Sequence, residues 1–274
     1  MTVAEALAAA LALGLDKLDV QLLLLHALGR HDGNRAWLLA HDRDPLQSAD
    51  ETGFMALCRR RAAGEPLAYL IGRQEFHGLD LLVDPRVLIP RSDTETLVDW
   101  ALDVLAGHAG STVVDLGTGS GAIALALKHA RPDLQLCAVD ASGEALSVAQ
   151  HNAQRLRLDV QFLHGCWLDD VSGRFDAIVS NPPYIAAQDP HLGALGYEPQ
   201  QALTSGAQGL DDLRHIIAQA SAHLEPGGWL LLEHGYDQAA VVRSLLIETG
   251  FVHVQSRRDL GGIERCSGGQ WAPG

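Results

Sequence analysis

The chain has 274 residues, 47% of them hydrophobic, enough for one sizeable core and a smaller one beside it. Twenty basic and 34 acidic side chains leave a formal charge of −14, which repels a polyphosphate backbone unless a local basic patch intervenes. Cys58, Cys137, Cys166 and Cys266 never form a C-x-x-C pair, so neither a disulfide framework nor a metal site is signalled. No apolar run reaches the ~18 residues of a membrane span and no signal peptide is visible, so a cytoplasmic protein without membrane contact is expected.

In chain order, residues 1–73 are rich in Ala and Leu at helical spacing (Val3, Leu7, Ala10, Leu11, then Leu18, Leu22, Leu25, Leu28). This predicts a small domain of four or five helices, punctuated by Gly14, Gly29, Gly33 and Asp44-Pro45. The triple Arg59 to Arg61 falls in a helical segment and reads as a solvated face. Residues 74–92 switch to alternation, with Phe76, Leu79, Leu81 and Val83 apolar, which predicts a β-hairpin linker. From residue 93 to 274, apolar strands alternate with helices: Thr112 to Leu116, Leu134 to Val139, Val160 to Leu163, Phe175 to Val179, Trp229 to Glu233 and Val252 to Ser256. That rhythm predicts an α/β fold with a mostly parallel, doubly wound sheet. The final stretch, CSGGQWAPG, is Gly-rich and is expected to be a mobile end.

The chemistry begins at VVDLGTGSGAIALAL. A strand ends in Asp115, turns through Gly117, Thr118, Gly119 and Gly121, and enters a helix, so backbone approaches a ligand closely there. A Gly turn alone does not separate cofactor classes, since dinucleotide-binding proteins use a similar one. Asp115 discriminates. Its carboxylate would repel a pyrophosphate and attract the ammonium of a methionine moiety, such as that of S-adenosylmethionine. The spacing G-x-G-x-G also differs from the dinucleotide pattern. Asp140 ends the next strand 21 positions beyond Gly119, where an acid accepts hydrogen bonds from both ribose hydroxyls. The bland alternative is that Asp115 and Asp140 only cap neighbouring turns or helices.

Asn181, Pro182, Pro183 and Tyr184 follow the fourth strand at the same carboxyl edge, where open α/β sheets bind ligands. A planar NH2 group carries two donors, which the Asn181 side-chain oxygen and a backbone carbonyl, best that of Pro182, are suited to accept. The proline rings fix the direction of that carbonyl, and the Tyr184 ring packs on the flat target, holding the nitrogen with its lone pair toward a methyl carbon. Asn181 therefore borders cofactor and substrate alike, and the catalytic candidates are Asn181, Pro182 and Tyr184.

With DLGTGSGAIALAL, AVDAS, VSNPPYI, YEP, LLLEHG and RDLGGIER in this order, nearly the whole chain resembles the HemK-type (PrmC) release-factor glutamine methyltransferases. The resemblance implies a Rossmann-like S-adenosylmethionine-dependent methyltransferase domain. It also implies methylation of the glutamine side-chain nitrogen in the Gly-Gly-Gln motif of peptide chain release factors, with the helical domain helping to hold that protein. It puts cofactor contacts at Gly117 to Gly121, Asp140 and Trp167, and substrate contacts at Asn181 to Tyr184. One departure is Cys166, where the family commonly has an acid before the tryptophan, so this position brings no carboxylate to the adenine amine; Trp167 is still expected to wall the adenine. Asp93 or Thr94 reads as a helix cap, and His234 as a satisfied strand-end histidine.

Two rival classes remain: a methyltransferase acting on an exocyclic amine of adenine or guanine, and a non-catalytic binding module. The acidic charge and the lack of a target-reading domain oppose the first. Retention of the Gly turn, Asp140 and Asn181 opposes the second. No direct nucleic-acid contact is expected, and a monomer is the default. Gly268, Gly269 and Gln270 spell the tripeptide that the resemblance assigns to the substrate; coincidence is the favoured explanation, the alternative being a flexible tail that visits its own active site.

Overall fold

The computed structural model of the chain describes residues 1–30 and 34–272, so the expected turn at Gly33 lies outside the described residues. The chain forms two compact units, Met1–Arg73 and Gln74–Gly274. The first consists of α1 (Val3–Leu11), α2 (Lys17–Ala27), α3 (Arg35–Ala40), α4 (Ser48–Ala62) and α5 (Leu67–Ile71). Thr2 and Glu5 close a capping box on α1, and the Asp16 side chain accepts from the Leu18 amide to start α2, relieving amides that no helical carbonyl reaches. The buried face of α2 is Val20, Leu23, Leu24 and Leu25, packed with Val3, Ala6, Phe54 and Cys58, whereas Leu11 and Leu18 are exposed. The expected stripe is corrected accordingly. In a run of four leucines periodicity cannot choose the inward face, and the packing partners choose it. Arg61 pairs with Asp19 at 2.7 Å, and Arg60 with Glu65.

A hairpin of β1 (Arg73–Phe76) and β2 (Leu79–Leu82) follows, beginning at the last residue of the first unit. Its turn is His77-Gly78, both at positive φ (48° and 77°), the two-residue geometry whose twist matches that of the strands. Phe76, Leu79 and Leu81 are buried against Leu97 and Trp100 of α6 (Glu95–Val104). A seven-stranded sheet follows: β3 (Thr112–Leu116), β4 (Gln135–Asp140), β5 (Gln161–His164), β6 (Phe175–Ser180), β7 (Leu224–Glu233), β8 (Phe251–Arg258) and β9 (Glu264–Trp271). The helices beside it are α7 (Ala122–Ala130), α8 (Gly143–Leu156), α9 (Asp211–His223) and α10 (Ala239–Thr249).

Strand order is β5-β4-β3-β6-β7-β9-β8. From β3 the chain winds first toward β5 and then, from β6, the other way, so the order reverses between β3 and β6, where Leu116 lies opposite Ser180. A crevice opens at the carboxyl ends of strands that part in this way. Two apolar layers cover the sheet, one built on Val113, Leu125, Ala138 and Val179 and the other on Val114, Leu116, Ile178 and Leu230.

Of the expected mobile end, residues 273–274 lie outside the described residues, while residues 266–271 instead belong to β9, antiparallel to both β7 and β8. Its glycines follow from close packing, not flexibility. A Cβ on Gly268 would come within 2.6 Å of the Leu230 carbonyl oxygen, and one on Gly269 within 2.9 Å of the Phe251 Cβ. The Gln270 amide donates to the Gly227 carbonyl at 2.8 Å. Gly268-Gly269-Gln270 is therefore a fixed part of the sheet, and the idea of a tail that visits its own active site is withdrawn.

Candidate active site

The Gly turn is shaped by three left-handed glycines, Gly117, Gly119 and Gly121, with φ of 69°, 57° and 86°. At Gly121 a side chain would meet Leu125 Cδ1 at 2.9 Å, so α7 packs directly on the turn. The buried Asn152 of α8 ties the turn to the hairpin: its amide donates to the carbonyls of Ser120 (2.9 Å) and Leu82 (3.0 Å), and its oxygen accepts from the Leu82 amide (2.7 Å).

The two acids flanking the turn sit differently. Asp140, at the end of β4, accepts from the amides of Gly119 and Ser142, each at 2.8 Å, and lines a cavity of about 250 Å³. Asp115 is fully buried beneath the turn. Its Oδ2 accepts from the Thr118 hydroxyl at 2.6 Å and the Ala124 amide at 3.2 Å, while Oδ1 has no hydrogen-bond partner. Burial pushes the Asp115 carboxyl up to about 7.

Gly117, Gly119, Asp140, Trp167, Asn181 and Pro183 share that cavity. Thr118 and Gly121 shape the turn from behind. Trp167 takes a left-handed φ of 50°, and its ring lies so close to the turn that a Cβ on Gly117 would come within 3.1 Å of it. The indole N–H donates to Asp212 at 3.1 Å, and Asp212 lines the same cavity, as does the exposed Cys166. Asn181 follows β6, and its amide nitrogen donates to the Thr94 hydroxyl oxygen at 3.2 Å. Pro182 is buried. Tyr184 borders a second, polar hollow with Glu75, Arg91, Asp93 and Glu95. The Tyr184 carbonyl accepts from the Gln238 amide at 3.1 Å and passes so close to Gly209 that a Cβ there would come within 2.1 Å.

Neither Asp93 nor Thr94 caps α6 through its side chain, which corrects the expectation: Thr94 is buried against Asn181, and Asp93 pairs with Arg265 at 3.2 Å. His234 is buried between the Ser267 hydroxyl (2.7 Å) and the Gly235 carbonyl (2.9 Å), and burial lowers its pKa. Sequence reasoning gave no role to Glu198 or Glu233. Glu198, in YEP, is buried, accepts from the Ile89 amide at 3.1 Å and pairs with Arg91. Glu233, in LLLEHG, sits at the carboxyl end of β7 and accepts from the Tyr184 hydroxyl at 3.3 Å. The signal available for Glu233 was its place at a strand end on the ligand-binding edge. Among the described residues no cluster of three or more His, Cys, Asp or Glu could hold a metal ion, and no helix is long and apolar enough to cross a membrane.

Residues 2–72 match the PrmC N-terminal domain family and residues 94–197 the methyltransferase small domain family. A release factor glutamine methyltransferase of Xylella fastidiosa is 51% identical over 269 residues, covering 97% of both chains. The chain belongs to the release factor glutamine methyltransferase family. Another member, from Bordetella pertussis, is 50% identical over 260 residues, covering 93% of this chain and 95% of its own. A methyltransferase from Pyrococcus furiosus, 20% identical, superposes with a TM-score of 0.54 over 72% of this chain and 90% of that one, which shows the shared fold alone. The family's activity depends on S-adenosylmethionine.

Proposed function

We propose that the chain transfers a methyl group from S-adenosylmethionine to the side-chain amide nitrogen of the glutamine in the Gly-Gly-Gln motif of peptide chain release factors, in the cytoplasm. The observation that carries this reading is the tethered Asn181. Its amide nitrogen is engaged by Thr94, which leaves its oxygen as the group to receive a planar NH2 in the cavity shared with Gly117, Gly119 and Pro183.

The residues fit S-adenosylmethionine. Asp140 brings a carboxylate to the cavity wall for the ribose hydroxyls, Trp167 supplies an aromatic wall for the adenine, and the partnerless Oδ1 of the buried Asp115, whose ionised form an ammonium would favour, lies below the turn. Once bound, S-adenosylmethionine supplies an electrophilic methyl group on a sulfonium. The protein positions the nucleophile. An amide nitrogen is weakly nucleophilic, because its lone pair is delocalised into the carbonyl, and its proton becomes acidic only as the new bond forms. Asn181, with the Pro182 carbonyl, orients and polarises the NH2, the Tyr184 ring holds the glutamine stem, and the proton leaves to water or a carbonyl afterwards. The unit Met1–Arg73 helps to hold the release factor.

The test incubates the protein with labelled S-adenosylmethionine and, separately, a release factor, its Gln-substituted variant, and DNA or ribosomal RNA. Label in the release factor that disappears with the glutamine is expected; label in nucleic acid alone would overturn the reading.

A further inference from the structure

Behind Asn181 and Tyr184 lies a buried carboxyl that the catalytic reading leaves unused. Glu233 closes β7, its Oε1 accepts from the Tyr184 hydroxyl at 3.3 Å, and its Oε2 has no hydrogen-bond partner. Thr94, whose hydroxyl oxygen accepts from the Asn181 amide at 3.2 Å, is also one of the groups that lower the Glu233 pKa. Tyr184 is thus hydrogen-bonded to Glu233 and Asn181 to Thr94, partners 49 and 87 residues away in sequence.

We propose that Glu233 is a positioning residue for the transfer, setting the direction of the Asn181 amide through Thr94 and holding the Tyr184 ring through its hydroxyl. This rests on the function proposed above. An ionised carboxylate only accepts hydrogen bonds, so Thr94 turns its hydrogen toward Glu233 and keeps a lone pair for the Asn181 nitrogen. The amide oxygen is then the end left for substrate. A protonated Glu233 can itself donate, the Thr94 hydrogen is freed to swing toward Asn181, and the amide can reverse and present NH2 to an incoming NH2.

Titratable and charged groups face Glu233 from several elements. From the turn before α6 come Asp93 and Thr94, from the loop after β6 Tyr184, and from β9 Arg265 and Cys266, with Asp259 reached through Arg265. Arg265 is held charged between Asp93 and Asp259, both at 3.2 Å. Burial pushes Tyr184 and Cys266 up, away from neutrality, and pushes the neighbouring His234 down. Burial raises Glu233 to about 7, against the lowering pull of the Thr94 hydroxyl and the Arg265 guanidinium. Turnover should therefore fall as pH drops through that value.

The experiment follows methylation of a release factor by the full chain at saturating S-adenosylmethionine, so that titration of Asp115, which acts on cofactor binding, is kept apart. Glu233→Gln should lower kcat by about tenfold to a hundredfold, the scale for a misplaced reacting group, and abolish the acid limb of the profile. KM for the release factor should stay within about threefold. Glu233→Asp, still an obligate acceptor when ionised, should recover part of the rate. Thr94→Val should reproduce the Gln variant and Thr94→Ser should restore wild-type behaviour. In the protein without cofactor, the 15N-labelled side-chain amide of Asn181 should shift as pH crosses the Glu233 titration, and should stay fixed in Glu233→Gln. Wild-type kcat with an intact acid limb in Thr94→Val, or Asn181 resonances that ignore pH, would overturn the proposal. Should Glu233→Gln fail to fold, Thr94→Val decides. If the wild-type chain methylates no release factor at any pH, the functional reading fails, and the Asn181 resonances still decide the positioning role.

Discussion

In the site as proposed, the cofactor side and the nucleophile side are built by different means. On the cofactor side, backbone does the shaping and the acids are held by near neighbours: Asp140 by Ser142 and Gly119, Asp115 by Thr118 and Ala124, at separations of 2 to 21 residues. On the nucleophile side, side chains from distant elements meet: Asn181 reaches Thr94 and Tyr184 reaches Glu233, 87 and 49 residues away. The acids of the cofactor side are thus set by contacts close to the turn, with Asn152 and Trp167 bracing it to Leu82 and Asp212 farther along the chain, whereas the nucleophile side is held by converging side chains that need the whole sheet in register. Damage to the first should therefore appear as graded loss of binding, and damage to the second as loss of rate with binding intact.

The largest expected effect tests what both sides share, a buried carboxyl held near neutrality, Asp115 on one and Glu233 on the other, each at about 7. An acid whose folded pKa lies above its unfolded value binds its proton more tightly in the native state. Stability then falls as pH rises from about 4 toward about 7, by up to roughly 1.4 kcal/mol per pH unit for each group. Urea midpoints measured across this range should show the decline, and Asp115→Asn should remove its share of the slope; an unchanged slope would mean that Asp115 is ionised throughout. Since the charged form attracts the ammonium, S-adenosylmethionine should bind more tightly as pH rises through the same interval.

Next in size, Asn181→Ala should lower turnover by about a hundredfold while leaving cofactor affinity nearly unchanged, since it removes an interaction with the nucleophile. Equal losses in rate and affinity would erase the distinction between the two sides. Asp140→Ala should weaken S-adenosylmethionine binding by roughly 1–3 kcal/mol by calorimetry, because the ribose loses its acceptor and the Gly119 and Ser142 amides lose theirs. The smallest change is expected from Gly117→Ala. It forces a side chain into a φ of 69° and to within 3.1 Å of the Trp167 ring, and should reduce cofactor affinity by about 1 kcal/mol, the cost of a left-handed non-glycine residue.

The same contrast explains what could be read in the sequence. The cofactor side was legible because a Gly-rich turn between Asp115 and a helix, with Asp140 at the next strand end, is a local pattern whose spacing carries its geometry. Asn181 to Tyr184 were legible as a motif, but their supports were not. Thr94 looked like a helix cap because Thr before Glu95 suits that role, and only the folded chain turns its hydroxyl toward Asn181. Strand β9 was missed for a related reason. Its two glycines suggested mobility, while the cause of their presence, the close approach of Leu230 and Phe251, lies in residues distant along the chain.

The position of β9 bears on how the molecule is made. It follows β8 in the chain but lies between β7 and β8, and it is the strand with which β8 pairs among the described residues. While the polypeptide is emerging from a ribosome, the β7 edge with Leu230, Leu231 and Leu232 therefore stays bare until residues 264–271 have been synthesised and slotted in. Cys266 pairs with Glu233 in that register, so the carboxyl behind Asn181 and Tyr184 is enclosed only at that moment. A nascent chain stalled before Glu264 should be readily cleaved by protease and catalytically inert. Full activity is therefore expected only once β9 has paired with β7.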